Sequence, residues 1–281
     1  MSYEKGKPYT LAVLGAGTIG QALLSAYLSS ENPELPPTKI IACVRSESSA
    51  QALVTQYKDS PIPFETSYGE ESNNEAVLNS QVVIIGTKPY VTESALEPIK
   101  DQLKGKLLIS MVAGWTIEQF ETYSSKISRV MTNTPAKYQY GTAVISNSLD
   151  VNEDERELIK ALVTPIGKVV ELPEKNMDAA TALVGSGPAF VLTMLEGLVE
   201  SGLSLGIPFK ESLECSIKVM EGTAKMAEIS GTHPGELKHK VCTPGGTTIA
   251  GCVEMDSHGV KSGIIKGVQA AAKRASELGK K

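Results

Sequence analysis

The sequence predicts a doubly wound α/β domain followed by an all-helical domain. Over about the first 170 residues, short apolar runs rich in valine and isoleucine alternate with helical patterns. A glycine-rich turn of the form GxGxxG follows the first of these runs. After a last apolar run at residues 168–171, long segments rich in alanine, leucine and lysine replace the strand patterns. This order is typical of a helix-covered parallel sheet with a separate helical domain after it.

Short apolar runs predict the strands of the first domain. They lie at residues 11–14, 39–44, 82–85, 107–110, 127–131 and 143–146. The first three are continuously apolar, which is typical of strands buried on both faces of a parallel sheet. The intervening stretches are long enough for crossover helices, and helical patterns occur at residues 19–29 and 47–57.

The last part of the chain predicts helices only, at residues 176–205, 209–230 and 258–278. We therefore predict two domains, residues 1–172 and 173–281. Small residues such as Gly185 and Gly187 let helices meet at backbone distance, and packing is the role we expect for them. Symmetric pairing through a self-complementary surface is the commonest way to bury such helices, so we expect at least a homodimer.

Composition argues against several classes of function. The net charge is −5 and aromatic residues make up 5% of the 281 residues, which disfavours nucleic acid as a partner. No uninterrupted apolar run reaches 18 residues, so we expect no membrane-spanning helix. The first residues are polar and run directly into a strand, which leaves no room for a signal peptide. Cysteine and histidine lack metal-ligand spacing, and we expect a reduced, metal-free, cytoplasmic protein.

The GxGxxG turn predicts a dinucleotide site because it lies between a buried strand and a helix. Gly15 permits the tight turn, Gly17 lets the backbone approach a pyrophosphate, and Gly20 lets the helix pack on the sheet. The N-terminus of that helix offers backbone N–H groups to the anion. The alternative is a purely structural turn.

The end of the second strand indicates which nicotinamide cofactor is bound. Sites for NAD commonly carry an acidic residue there to hold the ribose 2′-hydroxyl. This strand instead ends in Arg45 and Ser46, and arginine has the charge and shape to hold a 2′-phosphate. The sequence therefore favours NADPH. A solvated Arg45, neutralised by Glu47, is the alternative, and it leaves NADH open.

Two more strand ends carry candidate contacts. Lys88 and Pro89 follow the third predicted strand, where Lys88 either touches ribose or phosphate or is a surface lysine before a helix-starting proline. The fourth strand ends in small residues around Ala113, which would let the nicotinamide ring lie against the backbone.

A second glycine-rich segment, TPGGTT at residues 243–248, opens a short helical stretch. Two glycines followed by hydroxyls at a helix start form a nest of backbone N–H groups that suits a small carboxylate. A flexible loop between helices is the alternative reading.

These segments together resemble the pyrroline-5-carboxylate reductase family in one order over almost the whole chain. The matching text is GAGTIG at residues 15–20, TKP at 87–89, VAG at 112–114, RVMTNTPA at 129–136, DAATALVGSGPAF at 178–190, HPGELKHKV at 233–241 and TPGGTTIAG at 243–251. The last block is the most specific to that family. Departures from its usual residues occur at Ile19, Thr132, Val184, Phe190 and Thr243, and Thr243 keeps a hydroxyl where the family often has serine.

The resemblance implies reduction of 1-pyrroline-5-carboxylate to proline by NADPH or NADH, the last step of proline biosynthesis. It also implies a Rossmann-type first domain, a helical domain that interlocks with a second subunit, and a site shared between the two. The implied cofactor contacts are Gly15, Ala16, Gly17, Thr18, Ile19, Gly20, Arg45, Ser46, Asn73, Thr87, Lys88, Pro89 and Ala113. The implied substrate contacts are Glu174, Thr243, Gly245, Gly246, Thr247 and Thr248.

We expect Thr248 to be the catalytic residue. In this hypothesis the amides of residues 245–247 hold the substrate carboxylate, and the Thr248 hydroxyl bonds the imine nitrogen. The proton arrives from solution on a pre-formed iminium, because a threonine hydroxyl is a weak acid. Two alternatives stay open: a β-hydroxyacid dehydrogenase with Lys218 or Lys225 as the base, and a non-catalytic NADP-binding protein.

Overall fold

The computed structural model describes residues 2–28 and 34–278. The chain divides into two compact units, Met1–Gly185 together with Ala271–Lys281, and Ser186–Ala270. The predicted boundary at residues 172 and 173 stays a prediction. Ser29, at the end of the first predicted helix, lies outside the described residues.

Within the described residues, eight strands form one sheet in the order β3-β2-β1-β4-β5-β6-β7-β8. The strands are β1 Thr10–Leu14, β2 Lys39–Val44, β3 Phe64–Tyr68, β4 Val82–Ile85, β5 Leu107–Ser110, β6 Ile127–Met131, β7 Gly141–Asn147 and β8 Gly167–Glu171. The chain moves outward from β1 to β3 and then returns, so that β4 pairs with β1 in parallel register. Ligands of doubly wound sheets bind where the strand order reverses in this way, beyond the carboxyl ends of the strands.

Helices cover both faces of this sheet, as the doubly wound prediction requires. They are α1 Thr18–Leu28, α2 Glu47–Gln56, α3 Glu70–Leu78, α4 Pro89–Leu96, α5 Lys100–Leu103, α6 Ile117–Glu121, α7 Glu153–Val163 and α8 Met177–Ala180. Alternate residues of β1 point to opposite faces. Leu11 and Val13 pack in the cluster that contains Leu23 of α1. Ala12 and Leu14 pack in the cluster that contains Phe120 of α6.

Two strands of the first unit, β7 and β8, run against the expected parallel direction, because β8 pairs in parallel with β7. β7 is antiparallel to β6, with Val130 opposite Ile145. The cause is the short connection at residues 132–140, which holds a 3₁₀ segment at Thr134–Tyr138. A parallel crossover needs a dozen or more residues, so this connection can only return the chain as an antiparallel neighbour.

The sequence reading missed β3. Its sequence, FETSY, mixes polar and apolar residues, and none of its five residues is fully buried. β3 lies at the edge of the sheet and pairs in parallel with β2. An edge strand needs no continuous apolar run, which is the signal used to predict the others.

The later helices are α9 Gly187–Ser204, α10 Phe209–Ser230, α11 Pro234–Val241, α12 Thr247–Ser257 and α13 Val260–Leu278. The prediction for α10 is confirmed residue for residue. The predicted helix at residues 176–205 is instead interrupted by a π-helical turn at Thr181–Gly185. Pro188, in the first turn of α9, has no N–H to continue the preceding helical ladder, which explains the new start there.

Close backbone approach within Ser186–Ala270 occurs at Gly202. The Ser212 hydroxyl donates to the Val199 carbonyl at 2.8 Å. A Cβ on Gly202 would lie 2.1 Å from that hydroxyl oxygen, so α9 and α10 need glycine at this position. Around Gly187, by contrast, no described atom lies within 4 Å of where a Cβ would be.

The run Glu174–Ser204 is, by length and composition, apolar enough to cross a membrane, the one such helix among the described residues. This differs from the sequence expectation, because a window average tolerates the polar residues that break an uninterrupted run. In the single chain, α9 exposes several large apolar side chains, including Leu192, Leu198 and Leu203.

Candidate active site

The loop between β1 and α1 has the geometry expected of a phosphate-binding turn. Gly15 has φ +84°, and a Cβ there would lie 2.8 Å from the Thr87 nitrogen, so only glycine fits. A Cβ on Gly20 would lie 3.1 Å from the Gly15 carbonyl oxygen, which explains the close packing of α1 on the turn. Gly17 is exposed, and no described atom lies within 4 Å of its Cβ position. The turn is therefore open at Gly17, where a ligand phosphate would approach.

Backbone bonds hold this turn against β2. The N–H groups of Gly15 and Ala16 both donate to the Cys43 carbonyl oxygen at 3.1 Å. The Gln21 N–H donates to Gly17 at 2.7 Å, which starts α1. The side chains of Thr18 and Ile19 lie outside what the structure describes. Their backbone forms the first turn of α1, whose N–H groups have no partner inside the helix.

The loop after β4 packs directly on the glycine turn. Lys88 is the N-cap residue of α4 and Pro89 occupies its first turn. The Thr87 hydroxyl lies 2.8 Å from the buried Thr92 hydroxyl, which in turn donates to the Lys88 carbonyl at 3.1 Å. These bonds fix the loop while leaving the Lys88 side chain exposed, its ammonium 5.9 Å from the Tyr90 ring centre.

The tip of β2 carries an exposed arginine. Arg45 is exposed and follows the last residue of β2. The Ser46 hydroxyl caps α2 by accepting from the Ser49 N–H at 3.3 Å. Asn73 of α3 donates its Nδ2 to the Val44 carbonyl at 2.8 Å, and its Oδ1 has no hydrogen-bond partner among the described atoms. Arg45, Ser46 and Asn73 therefore lie at one corner, as expected of an adenosine-binding region.

The loop after β5 adds the last of the predicted cofactor contacts, Ala113. Val112 is buried and its N–H donates to the Ser110 hydroxyl at 3.2 Å, whereas Ala113 is exposed. Gly114, with φ +80°, then turns the chain toward α6. Because β3, β2, β1, β4 and β5 are parallel neighbours, the predicted cofactor residues all lie beyond the carboxyl ends of these strands, which we call the cofactor edge.

This edge suits a dinucleotide. The open glycine turn and the first turn of α1 offer N–H groups and the positive end of a helix dipole. The exposed cations Arg45 and Lys88 follow β2 and β4, the strands on either side of β1, and no acidic residue occupies the tip of β2. Among the described residues, no group of three His, Cys, Asp or Glu side chains is placed to hold a metal ion.

The TPGGTT segment forms a tight turn that opens α12. Pro244 follows Thr243, Gly245 has φ +70°, and the Gly246 N–H donates to the Thr243 carbonyl at 3.0 Å. A Cβ on Gly246 would lie 2.4 Å from the Thr243 hydroxyl oxygen, so a larger residue here would displace that hydroxyl. Gly246 is the N-cap residue, and Thr247 and Thr248 form the first turn of α12. The predicted nest of N–H groups is therefore present at a helix N-terminus.

Two cysteines flank this turn. Cys242 precedes it, and Cys252 lies on α12 against the Cys242 thiol. Burial and the hydrogen bond with Cys252 raise the pKa of Cys242. The Cys242 thiol therefore stays protonated near neutral pH, which argues against Cys242 as a nucleophile.

Glu174 lies in an ion pair that the sequence reading did not anticipate. Its Oε1 accepts from the Arg129 guanidinium at 2.9 Å and from the Ile117 N–H at 2.6 Å. Arg129 is buried on β6, and Ile117 begins α6. The geometry gives Glu174 a structural task, and its predicted contact with substrate stays a prediction. Arg129 and Glu174 are 45 residues apart in sequence, so no local pattern signals the pair.

The comparisons with known proteins agree with this organisation. A family model described as pyrroline-5-carboxylate reductase dimerisation matches residues 174–278. A model described as NADP oxidoreductase, coenzyme F420-dependent, matches residues 10–114. The first match covers the later helices, and the second covers the glycine turn and the strands through β5.

Full-length relatives are more informative than either model. A pyrroline-5-carboxylate reductase of Kluyveromyces lactis is 54% identical and covers 97% of this chain and 99% of its own. One of Schizosaccharomyces pombe is 34% identical, with coverage of 95% and 98%. A crystal structure of a Plasmodium falciparum pyrroline carboxylate reductase with NADP bound aligns with a TM-score of 0.80 at 26% identity, covering 96% and 98%. The resemblance noted in the sequence is thus confirmed, and the chain belongs to the pyrroline-5-carboxylate reductase family.

Proposed function

We propose that this chain reduces 1-pyrroline-5-carboxylate to L-proline with NAD(P)H, the final step of proline biosynthesis. The observation that carries the proposal is the 54% identity to the Kluyveromyces lactis reductase over 97% of the chain. The reaction makes the chain an oxidoreductase that acts on a carbon–nitrogen double bond. The two glycine-rich turns supply the two kinds of anion site that such a reaction needs, one for a pyrophosphate and one for a carboxylate.

The cofactor would lie along the edge formed by β2, β1, β4 and β5. Gly15, Gly17 and the start of α1 hold the pyrophosphate, while Arg45 holds the 2′-phosphate and makes NADPH the preferred form. Thr87, Lys88 and Ala113 line the path from there toward the reacting end. When bound, NADPH supplies the hydride.

The substrate would bind at the start of α12. In the predicted nest of residues 245–247, the backbone N–H groups of Gly245 and Thr247 would donate to its carboxylate, while the Gly246 N–H bonds the Thr243 carbonyl within the turn. Thr243 adds a hydroxyl at the same turn. The Thr248 hydroxyl bonds the ring nitrogen and orients the imine carbon. The proton is already on the nitrogen as the iminium, so no histidine or cysteine is required.

The match of residues 174–278 to a dimerisation domain supports a homo-oligomer. We infer a dimer, or a larger assembly of dimers, in which the domain at residues 173–281 pairs with a second copy and completes the site. The exposed leucines of α9 are then buried against that copy rather than in a membrane. We also infer a cytoplasmic enzyme with a small-molecule substrate and without a nucleic-acid partner.

A substrate-class comparison tests the function. Purified chain is mixed with NADPH or NADH and the cyclic imine, and loss of reduced-nicotinamide absorbance is followed. We expect turnover with the imine and none in the reverse assay with NADP⁺ and hydroxy acids. Cofactor binding without imine turnover, or oxidation of hydroxy acids instead, would contradict the proposal.

A further inference from the structure

Trp115, the sole tryptophan of the chain, joins two of the loops at the cofactor edge. It lies in the loop between β5 and α6, and its indole Nε1–H donates to the Pro89 carbonyl oxygen at 3.3 Å. Pro89 begins α4, directly after the loop that follows β4. The bond therefore links the loop after β5 to the loop after β4, between residues that are 26 positions apart in sequence.

The indole is itself held firmly. Its ring packs on Phe120, with ring centres 4.9 Å apart and planes at 42°, and Phe120 is fully buried. Directly after Trp115 in the chain, Thr116 and Gln119 form a capping box at the start of α6. The Ile117 N–H is bonded to Glu174 at 2.6 Å. A side chain anchored in this way can fix the position of the group it donates to.

The group that Trp115 fixes leads directly to the glycine turn. Pro89 is preceded by Lys88, whose carbonyl accepts from the Val91 N–H at 2.9 Å and from Thr92. Lys88 is in turn preceded by Thr87, whose backbone nitrogen would lie 2.8 Å from a Cβ on Gly15. A shift of the loop after β4 would therefore alter the space above Gly15.

We propose that Trp115 is a positioning residue for cofactor binding. By bonding Pro89, it sets the loop of Thr87 and Lys88 against the glycine turn before the dinucleotide arrives. This rests on the proposed function, since it takes Thr87 and Lys88 as cofactor contacts. The effect is on affinity for both nicotinamide cofactors alike, because the loop after β4 lies away from Arg45 and the 2′-phosphate it would hold.

The variant Trp115→Phe tests the bond because it keeps an aromatic ring over Phe120 and removes the N–H. We expect its Kd for NADPH, measured by calorimetry without imine, to rise about two- to tenfold. The Kd for NADH should rise by the same factor, while kcat at saturating cofactor stays that of the unmodified protein. An unchanged Kd for NADPH would overturn the proposal.

Tyr123→Phe is the matched control. It removes one aromatic hydrogen bond, from the Tyr123 hydroxyl to Glu97 at 3.2 Å, in the same apolar cluster but away from the loops. The melting temperature should fall by a similar amount in both variants, whereas only Trp115→Phe should weaken cofactor binding. An equal rise in Kd in both would mean that general stability is responsible.

The unmodified chain gives a second test, since Trp115 is its single indole fluorophore. Addition of NADPH should quench the Trp115 emission by energy transfer to the bound reduced nicotinamide, and absence of quenching at saturation would also overturn the proposal. If NADPH binds and quenches but the imine is not reduced, the proposed function fails while the role of Trp115 stands. If the imine is reduced and Trp115→Phe binds NADPH normally, only the role of Trp115 fails.

Discussion

The carboxylate of Glu174 pairs with the guanidinium of Arg129 at 2.9 Å and thereby joins the segment before α8 to the middle of the sheet. The Arg129 side chain is 8% exposed and that of Glu174 is 32% exposed. Glu174 also accepts from the Ile117 N–H, so that one carboxylate connects β6 with the start of α6. Removing it leaves a buried cation without its partner.

Glu174→Ala should therefore lower the free energy of unfolding by about 2–4 kcal/mol, because an uncompensated buried charge is costly. Urea denaturation followed by circular dichroism measures this loss. Glu236→Ala is the control, since Glu236 pairs with Lys240 on the surface at 2.8 Å and should cost less than about 1 kcal/mol. Equal losses in the two variants would show that the Glu174–Arg129 pair contributes no more to the free energy of unfolding than a surface ion pair does.

Arg45→Ala should raise KM for NADPH far more than KM for NADH. A charge-assisted contact to a phosphate contributes about 1.5–3 kcal/mol, or roughly 10- to 150-fold in affinity. Steady-state kinetics with each cofactor measure the ratio. Lys58→Ala, at another exposed cation of the same unit, should leave both KM values unchanged. If Arg45→Ala changed both KM values equally, Arg45 would not contact the 2′-phosphate.

Thr248→Val keeps the shape of the side chain and removes its hydroxyl. We expect kcat/KM for the imine to fall about 10- to 100-fold, since the lost bond is to a charged iminium. Thr55→Val, which removes an exposed hydroxyl bonded to Gln51 on α2, should have no effect on kcat/KM. Wild-type kcat/KM in Thr248→Val would exclude the catalytic role.

Stability should fall as the pH rises from about 8 to 10, in part through Cys43. Burial raises the pKa of the Cys43 thiol from 9.0 to about 12. The unfolded chain therefore releases this proton at lower pH than the folded chain, and the unfolded state gains relative stability as the pH increases. The contribution of Cys43 over this interval is about 1.4 kcal/mol. In Cys43→Ala the decline should be shallower by that amount, and an unchanged slope in urea titrations would refute the assignment.

Gly187→Leu should cost both assembly and activity. Apart from the adjoining residues and the backbone of its own helix, no described atom lies within 4 Å of the Gly187 Cβ position, so the space beside Gly187 is open in the single chain. If a second copy packs there, the leucine blocks it. Analytical ultracentrifugation beside the reductase assay, over a dilution series, measures the two together. A fully active monomer would contradict the shared site.

The sequence allowed prediction wherever one local signal sufficed. β1, β2 and β4 were predictable because strands buried on both faces leave continuous apolar runs. The glycine turn was predictable because Gly15 needs a positive φ and Gly17 an open face. The turn before α12 was predictable because Gly245 needs a positive φ and Gly246 caps the helix.

What the sequence did not reveal depends on contacts between distant segments. β3 is held by pairing with β2 rather than by burial of its own residues. β7 reverses because its connection is too short for a crossover, which an apolar run cannot indicate. The Glu174–Arg129 pair and the Trp115–Pro89 bond join residues 45 and 26 positions apart. Only the folded chain brings these groups together.

The most direct test of the proposed reaction is the stoichiometry of product to cofactor. Purified chain is incubated with 1-pyrroline-5-carboxylate and NADPH, and L-proline formed and NADPH consumed are both measured. We predict equal amounts, with Thr248→Val lowering both rates together. Consumption of NADPH without formation of proline, or no consumption while NADPH binds, would contradict the proposed reaction.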